Sequence, residues 1–179
     1  MKLFNYTKYT LLFFALFSFV QCSDDETPEL INEEEEINRI VIDITSENGS
    51  NTYTWNEGDS NFAMQLNSGI NYTVAVSFYN ASDPNDVEAI NPEVIEEADE
   101  HHVFFENSSS ILSINSASSD QQDSSGNPLG LKTTWTAERA GSATIRLFLI
   151  HEPNTKSGNT RSDFGGETDV QLDINVTVE

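Results

Sequence analysis

Apolar and polar residues alternate in many short segments of this chain, and this period-two pattern limits the possible folds more than any other feature. The last such segment is the clearest, because every second residue over 170–178 is Val, Leu or Ile and the residues between them are polar. Successive side chains of an extended strand point to opposite faces, so one face of this strand is apolar. Short strands with one apolar face need a second layer to cover them, which predicts packed β-sheets.

The same alternation recurs between turns rich in Gly, Asn, Asp and Pro. It predicts strands over residues 40–45, 53–55, 62–66, 72–78, 101–106, 111–114, 133–137, 145–149 and 170–178. Pro92 predicts a short helix over 93–98. The fold class is therefore all-β: an antiparallel, immunoglobulin-like β-sandwich of about eight or nine strands with one helical insertion. A small β-barrel is the alternative. Trp55 and Trp135 are expected in the core, with a sugar-binding platform as the other role for either.

The N-terminal residues carry the features of a secretory signal. Lys2 and Lys8 precede ten nearly uninterrupted apolar residues, 11–20, and Cys22 follows. A spanning helix needs about 20 apolar residues, so the segment fits a signal peptide better. The stretch resembles a bacterial lipobox, in which the cysteine becomes the lipidated N-terminus, although Gln21 stands where a small residue is usual. The acidic residues after Cys22 resemble the export signal of Bacteroidetes surface lipoproteins.

This N-terminus divides the chain into three parts. We expect a signal peptide over 1–21, an acidic tether over 22–38 that begins with lipidated Cys22, and a single domain over 39–179. The tether is extended by repulsion between its like charges. The expected location is the outer membrane, facing the cell surface rather than the periplasm. Cys22 is the only cysteine of the chain, so the domain has no disulfide of its own.

The charge of the chain excludes several partners. Loss of residues 1–21 removes two of the eight basic residues and none of the thirty acidic ones, which leaves a net charge of −24. Nucleic-acid binding depends on Lys and Arg, so no nucleic-acid partner is expected. Anionic lipid headgroups are repelled as well, and the lipid anchor is the only membrane contact expected.

The three histidines suggest a metal site. His101 and His102 follow a run of acidic residues, and His151 lies at the end of a predicted strand. Imidazole and carboxylate are common ligands of Zn²⁺ and related ions. Adjacent strand residues point to opposite faces, so only one of His101 and His102 is expected to join His151. The carboxylate would come from Glu97, Glu100, Glu152 or Glu167. Surface histidines without a ligand are the alternative interpretation.

Two acidic turns, residues 83–86 and 120–123, offer oxygen ligands for Ca²⁺, but neither has the spacing of a calcium-binding loop, and ordinary turns are expected there. Catalytic motifs are also missing from the sequence. It has no Gly-x-Ser-x-Gly, no phosphate-binding glycine loop and no cysteine outside the lipobox. The chain is therefore not expected to be an enzyme.

Four short segments resemble a group of small flavobacterial lipoproteins labelled "type 1 periplasmic binding fold superfamily protein". The segments are EEADEHHVFF at 96–105, GNPLGL at 126–131, HEPN at 151–154 and GGETDV at 165–170. The resemblance implies a solute-binding role. The fold named in that label is a longer, two-lobed α/β structure whose repeated strand–helix units this sequence lacks. The site residues that the resemblance implies are Glu97, Glu100, His101, His102, His151, Glu152, Glu167 and Asp169.

Two functions follow from these features. The first is a ligand-binding accessory to an outer-membrane uptake transporter, with a divalent cation (Zn, Cu or Ca) as a possible ligand. The alternative is a structural or adhesive surface domain in which the histidines have no role. Convergence of the two histidine segments in space would favour the first.

Overall fold

A computed structural model describes residues 36–179, which form ten strands and two short helices. The strands are β1 (Arg39–Ser46), β2 (Gly49–Asn56), β3 (Phe62–Leu66), β4 (Asn71–Asn80), β5 (Glu88–Ala89), β6 (His101–Glu106), β7 (Leu112–Ser116), β8 (Lys132–Ala137), β9 (Gly141–His151) and β10 (Glu167–Val178). The helices are α1 (Asn91–Glu96) and α2 (Arg161–Phe164). All nine predicted strands are present, and the two-residue β5 is an addition.

The strands form two sheets. One has the order β2-β1-β4-β8-β7, with β5 added beside β4, and the other has the order β3-β10-β9-β6. Neighbouring strands are antiparallel except β3 and β10, which are parallel. The sheets are not closed into a barrel, so the predicted sandwich is confirmed and the barrel alternative is wrong. The orders β1-β4-β8-β7 and β6-β9-β10 correspond to the ABED and CFG sheets of immunoglobulin domains.

The inward faces of the two sheets form the main core. Trp135 is fully buried, as predicted, and its indole meets Phe105 edge to face at 5.2 Å. The Trp135 indole N–H donates to the Thr133 hydroxyl at 2.9 Å, which satisfies the one polar group that the ring brings into the core. Trp55 differs from expectation, because it lies on edge strand β2 and only its inner side packs against the core.

The helices differ from the predicted ones for local reasons. Helix α1 begins two residues earlier than the predicted 93–98, with Pro92 in its first turn, where the missing N–H costs nothing. Helix α2 was not predicted. Its start is held by Asp163, whose carboxylate accepts the N–H groups of Asn159 and Thr160 at 2.8 and 2.9 Å. These bonds favour the ionised carboxylate and lower the pKa of Asp163.

The signal peptide, Cys22 and most of the expected tether lie outside the described residues. The last two tether residues already contact the domain: Ile37 packs against the core, and the Asn38 N–H donates to the Tyr79 carbonyl at 3.2 Å. Within residues 36–179, neither helix is long or apolar enough to cross a membrane.

Candidate metal site

The histidine segments converge at one end of the four-stranded sheet. His101 is the first residue of β6 and His151 the last of β9, and the two are direct partners in the antiparallel register. Their rings stack with centroids 4.8 Å apart and planes within 5°. Partners across an antiparallel pair point to the same face, so the register alone brings these side chains together.

Two carboxylates lie beside His151 at this end of the four-stranded sheet. The end formed by Glu100, His151 and Glu152 is called the rim below. Glu100, His151 and Glu152 each offer one ligand atom, and these atoms all lie within 4.8 Å of one another. An ion held at 2.0–2.2 Å by each ligand needs ligand atoms about 3–4 Å apart, so small side-chain movements complete the geometry. His151 is buried and both glutamates are exposed, which leaves the triad open to solvent on one side.

The backbone holds the two glutamates next to each other. The Glu152 N–H donates to the Glu100 carbonyl at 2.7 Å, which joins the residue after β9 to the residue before β6. Glu152 has a φ of 47°, a left-handed conformation that is uncommon for a residue with a side chain. Such a conformation persists only where the surroundings impose it, and it is frequent at ligand sites.

His101 stacks on the ring of His151 and is not one of the three grouped ligands. Its Nδ1 lies 3.3 Å from the Glu97 carbonyl oxygen and 3.8 Å from the Glu97 carboxylate, and its Nε2 lies 4.0 Å from the Asp169 carboxylate. Burial lowers the pKa of His101, the Glu97 carbonyl opposes that effect, and the neighbouring His151 adds to it. At neutral pH the His101 ring is therefore uncharged and adds no positive charge next to His151.

A β-bulge brings Asp169 into this site. The register of β10 against β9 shifts between Thr168 and Val170, so Asp169 is the extra residue of the bulge. Its side chain is only 1% exposed and lies beside His101. A bulge redirects a side chain that regular alternation would send elsewhere, and bulges are frequent next to functional sites.

The remaining predicted ligands lie apart from the triad. Glu167 is opposite His151 in the β10 register but is exposed and does not join the three ligand atoms. His102 points to the other face of the sheet, as the alternation requires, and packs against Phe164 at 5.2 Å. Burial and, to a smaller extent, the nearby Lys156 charge lower the pKa of His102 to about 4. His102 is thus part of an aromatic cluster and does not join the three grouped ligands.

One buried ion pair was not predicted from the sequence. Lys156 and Asp123 lie 3.3 Å apart, with side chains 7% and 6% exposed, and Lys156 also donates to the Ala98 carbonyl. Hydrogen bonds from Asn127, together with Lys156, hold the pKa of Asp123 far below its usual value. These contacts tie the loop after β9 to the segments before β6 and β8. Nothing in the local sequence marks Lys156, because its partners are distant along the chain.

The two acidic turns use their carboxylates to hold backbone. Asp120 accepts the N–H groups of Gly130 and Lys132 at 2.6 and 2.8 Å, and Asp83 accepts that of Asn85 at 2.8 Å. These bonds are those of ordinary structural turns, in agreement with the interpretation preferred from the sequence.

Comparisons of the chain with protein-family models, with curated proteins and with solved structures found no match.

Proposed function

We propose that this domain binds a divalent transition metal, with Zn²⁺ as the best-suited ion, through His151, Glu100 and Glu152. The observation that carries the proposal is the approach of these three ligand atoms to within 4.8 Å of one another. One imidazole and two carboxylates form a ligand set that Zn²⁺ and neighbouring ions accept, with solvent completing the coordination. A Ca²⁺ site would use oxygen ligands only, so the imidazole argues for a transition metal.

The surroundings of the triad favour a cation in two ways. The net charge of −22 raises the local concentration of cations around the whole protein. Close to the triad, the uncharged His101 stacks on His151 and adds no positive charge. An imidazole that stays neutral beside the ligand ring also keeps that ring in a fixed orientation, which reduces the entropy lost when the metal binds.

The sequence supports a role as a lipid-anchored accessory of an outer-membrane uptake system. The signal features before Cys22 and the acidic stretch after it suit a tethered surface protein. A metal site at an open rim, with two exposed carboxylates, suits capture and release better than permanent storage. The resemblance to flavobacterial lipoproteins with a solute-binding label points the same way. The adhesive alternative is less favoured, because it predicts no convergence of the histidine segments.

Isothermal titration calorimetry of the untagged protein with Zn²⁺ tests the metal proposal. We expect one site with a dissociation constant of about 1 µM or tighter. His151→Ala and the double variant Glu100→Gln, Glu152→Gln should each weaken binding by at least about tenfold, whereas Glu88→Gln, an exposed acid on β5, should bind as the wild type does. Binding no tighter than millimolar, or equal binding by all variants, would refute the proposal.

A further inference from the structure

A second concave region lies at the other edge of the four-stranded sheet, and none of the metal-site residues line it. It is an open cleft of about 440 Å³ between Trp55, the turn after β2, and the outer residues of β10. The cleft exists because β3 begins only at Phe62, opposite Ile174. The β10 residues before Ile174 therefore have no strand on that side.

Trp55 provides the exposed apolar surface of the cleft. The other large apolar residues there, Phe62 and Leu172, are buried with 7% and 4% of their surface exposed, whereas Trp55 is only partly buried. Among residues 36–179, no group accepts a hydrogen bond from the Trp55 indole N–H. An indole at such a position offers a flat apolar face and a free donor to a ligand.

The rest of the lining consists of hydroxyl, amide and carboxylate groups. Gln171, Asp173 and Asn175 point outward from β10, and Asp59 comes from the turn that faces them. The carboxylates already have partners: Asp59 accepts the Asn56 N–H at 2.9 Å, and Asp173 lies 3.6 Å from the Arg146 guanidinium. Each retains lone pairs that can accept from a hydroxyl.

We propose that this cleft binds a neutral oligosaccharide. A pyranose ring presents C–H groups on one face and hydroxyls around its edge, which match one aromatic surface surrounded by planar acceptors and donors. Anionic glycans are excluded, because Asp59 and Asp173 line the cleft and the chain carries a net charge of −22.

An added peptide strand suits the cleft less well. Strand addition needs a run of free backbone N–H and C=O groups along a sheet edge. Here the free edge of β10 runs from Glu167 to the pairing of Ile174 with Phe62, and the bulge at Asp169 interrupts its regular backbone spacing. The regular part of this edge is therefore limited to residues 170–173.

The binding surface extends beyond one sugar unit. A second shallow depression of about 450 Å³ shares Thr144 and Asn175 with the cleft and continues along the outer face of β9 and β10. Its other lining residues include Ser142 and Thr177, which add hydroxyl groups along the same line. The ligand is therefore expected to be a chain of sugars and not a monosaccharide.

Tryptophan fluorescence tests the proposal directly. The chain has two tryptophans, and because Trp135 is fully buried, a spectral change on ligand addition reports on Trp55. The probes are the tetrasaccharides of cellulose, mannan, xylan and chitin, with heparin tetrasaccharide as the anionic comparison and an unstructured peptide as the strand comparison. We expect at least one neutral probe to bind with a dissociation constant of about 1 mM or tighter.

Variants separate this site from the metal site. Trp55→Ala should weaken sugar binding by about tenfold or more, Trp55→Phe should weaken it less, and His151→Gln should not change it. Should Trp55→Ala fold poorly, NMR shifts of the Gln171 and Asn175 side-chain amides in the wild-type protein report contact independently. No response to any neutral probe, a response only to heparin or to the peptide, or binding unaffected by Trp55→Ala would overturn the assignment.

Discussion

The two stacked histidines differ in the side chains around their ring nitrogens. His151 faces the rim with Glu100 and Glu152, whereas both ring nitrogens of His101 are directed at Glu97 and Asp169. The difference follows from position in the sheet, since His151 ends a strand and His101 begins one beneath the bulge. In the proposed metal site, His151 is therefore the ligand and His101 supports the His151 ring.

The same substitution at both positions tests this assignment. Glutamine keeps a polar amide of similar length and is a poor metal ligand. We expect His151→Gln to weaken Zn²⁺ binding by about 100-fold and His101→Gln by less than about tenfold, because the latter loses only the stacking support. Calorimetry at neutral pH measures both. Equal losses of Zn²⁺ affinity would indicate that His101 is a ligand as well. Unchanged affinity in both variants would show that neither histidine contributes to Zn²⁺ binding.

His102, on the opposite face, predicts a pH dependence of stability. Its pKa is about 4 in the folded protein and 6.5 when unfolded, so the unfolded state takes up a proton first. Stability is therefore full above pH 6.5 and falls as the pH drops towards 4, by about 3 kcal/mol for this residue. The charge of Lys156 also lowers the pKa of His102, whereas Asp123 and the Pro128 carbonyl raise it.

Urea unfolding in EDTA at pH 7.0 and 4.5 checks this effect. His102→Phe, which suits the aromatic neighbours of this position, should lose less stability than the wild type between the two pH values. His101, whose pKa is also lowered, retains its own share of the pH dependence in both proteins. Identical pH dependence in the two proteins would show that His102 does not stay neutral in the fold.

At the scale of elements, the strands were predictable and the irregular residues were not. Alternation over 170–178 identifies β10 because one face is buried along its whole length. The bulge at Asp169 leaves no comparable signal, since a polar residue before an alternating segment fits a turn equally well. Helix α2 depends on Asp163 capping a single turn, which no periodicity reveals. The bulge places Asp169 beside His101, next to the candidate site, so the sequence identified the residue types of the site but not their full arrangement.

Gly166 packs closely against the backbone of two rim residues, His151 and Glu152. It has a φ of 63°, and an added Cβ would overlap the backbone of His151 and Glu152. Gly69 is a matched control, with a φ of 79° and open space around the same position. We expect Gly69→Ala to cost about 1 kcal/mol from backbone strain alone, and Gly166→Ala to cost at least about 2 kcal/mol more because the backbone must also move.

Chemical denaturation measures the stability of both glycine variants, and calorimetry measures their Zn²⁺ binding. Gly166→Ala should lower the affinity together with the stability, since it displaces the residues that carry two of the three ligands. Gly69→Ala should leave the affinity unchanged. Similar costs for the two variants would mean that the close contact at Gly166 does not position the rim.

At the scale of the whole molecule, the sequence indicates an anchored domain and the structure adds two surfaces to it. The proposed metal site lies at one end of the four-stranded sheet, and the proposed sugar cleft lies along its β10 edge. The fold class followed from the sequence because an immunoglobulin-like sandwich needs only short alternating strands and turns. The position of Trp55 could not be predicted from the sequence, because it depends on β2 being an edge strand.

The anchor is tested through Cys22. Cells that express the protein and are fed radiolabelled palmitate should label the wild type and not Cys22→Ala, since the chain has no other cysteine. The variant should also leave the membrane fraction, because no basic surface replaces the lipid contact. Absence of label from both proteins would exclude the lipoprotein assignment without affecting the metal or sugar proposals.

The most direct test of the metal proposal is anomalous diffraction from crystals of the Zn²⁺-loaded protein, measured on both sides of the zinc absorption edge. We predict an anomalous peak about 2.0–2.2 Å from a His151 ring nitrogen and from one carboxylate oxygen each of Glu100 and Glu152. A strong peak elsewhere on the domain, or none at the rim under saturating Zn²⁺, would contradict it.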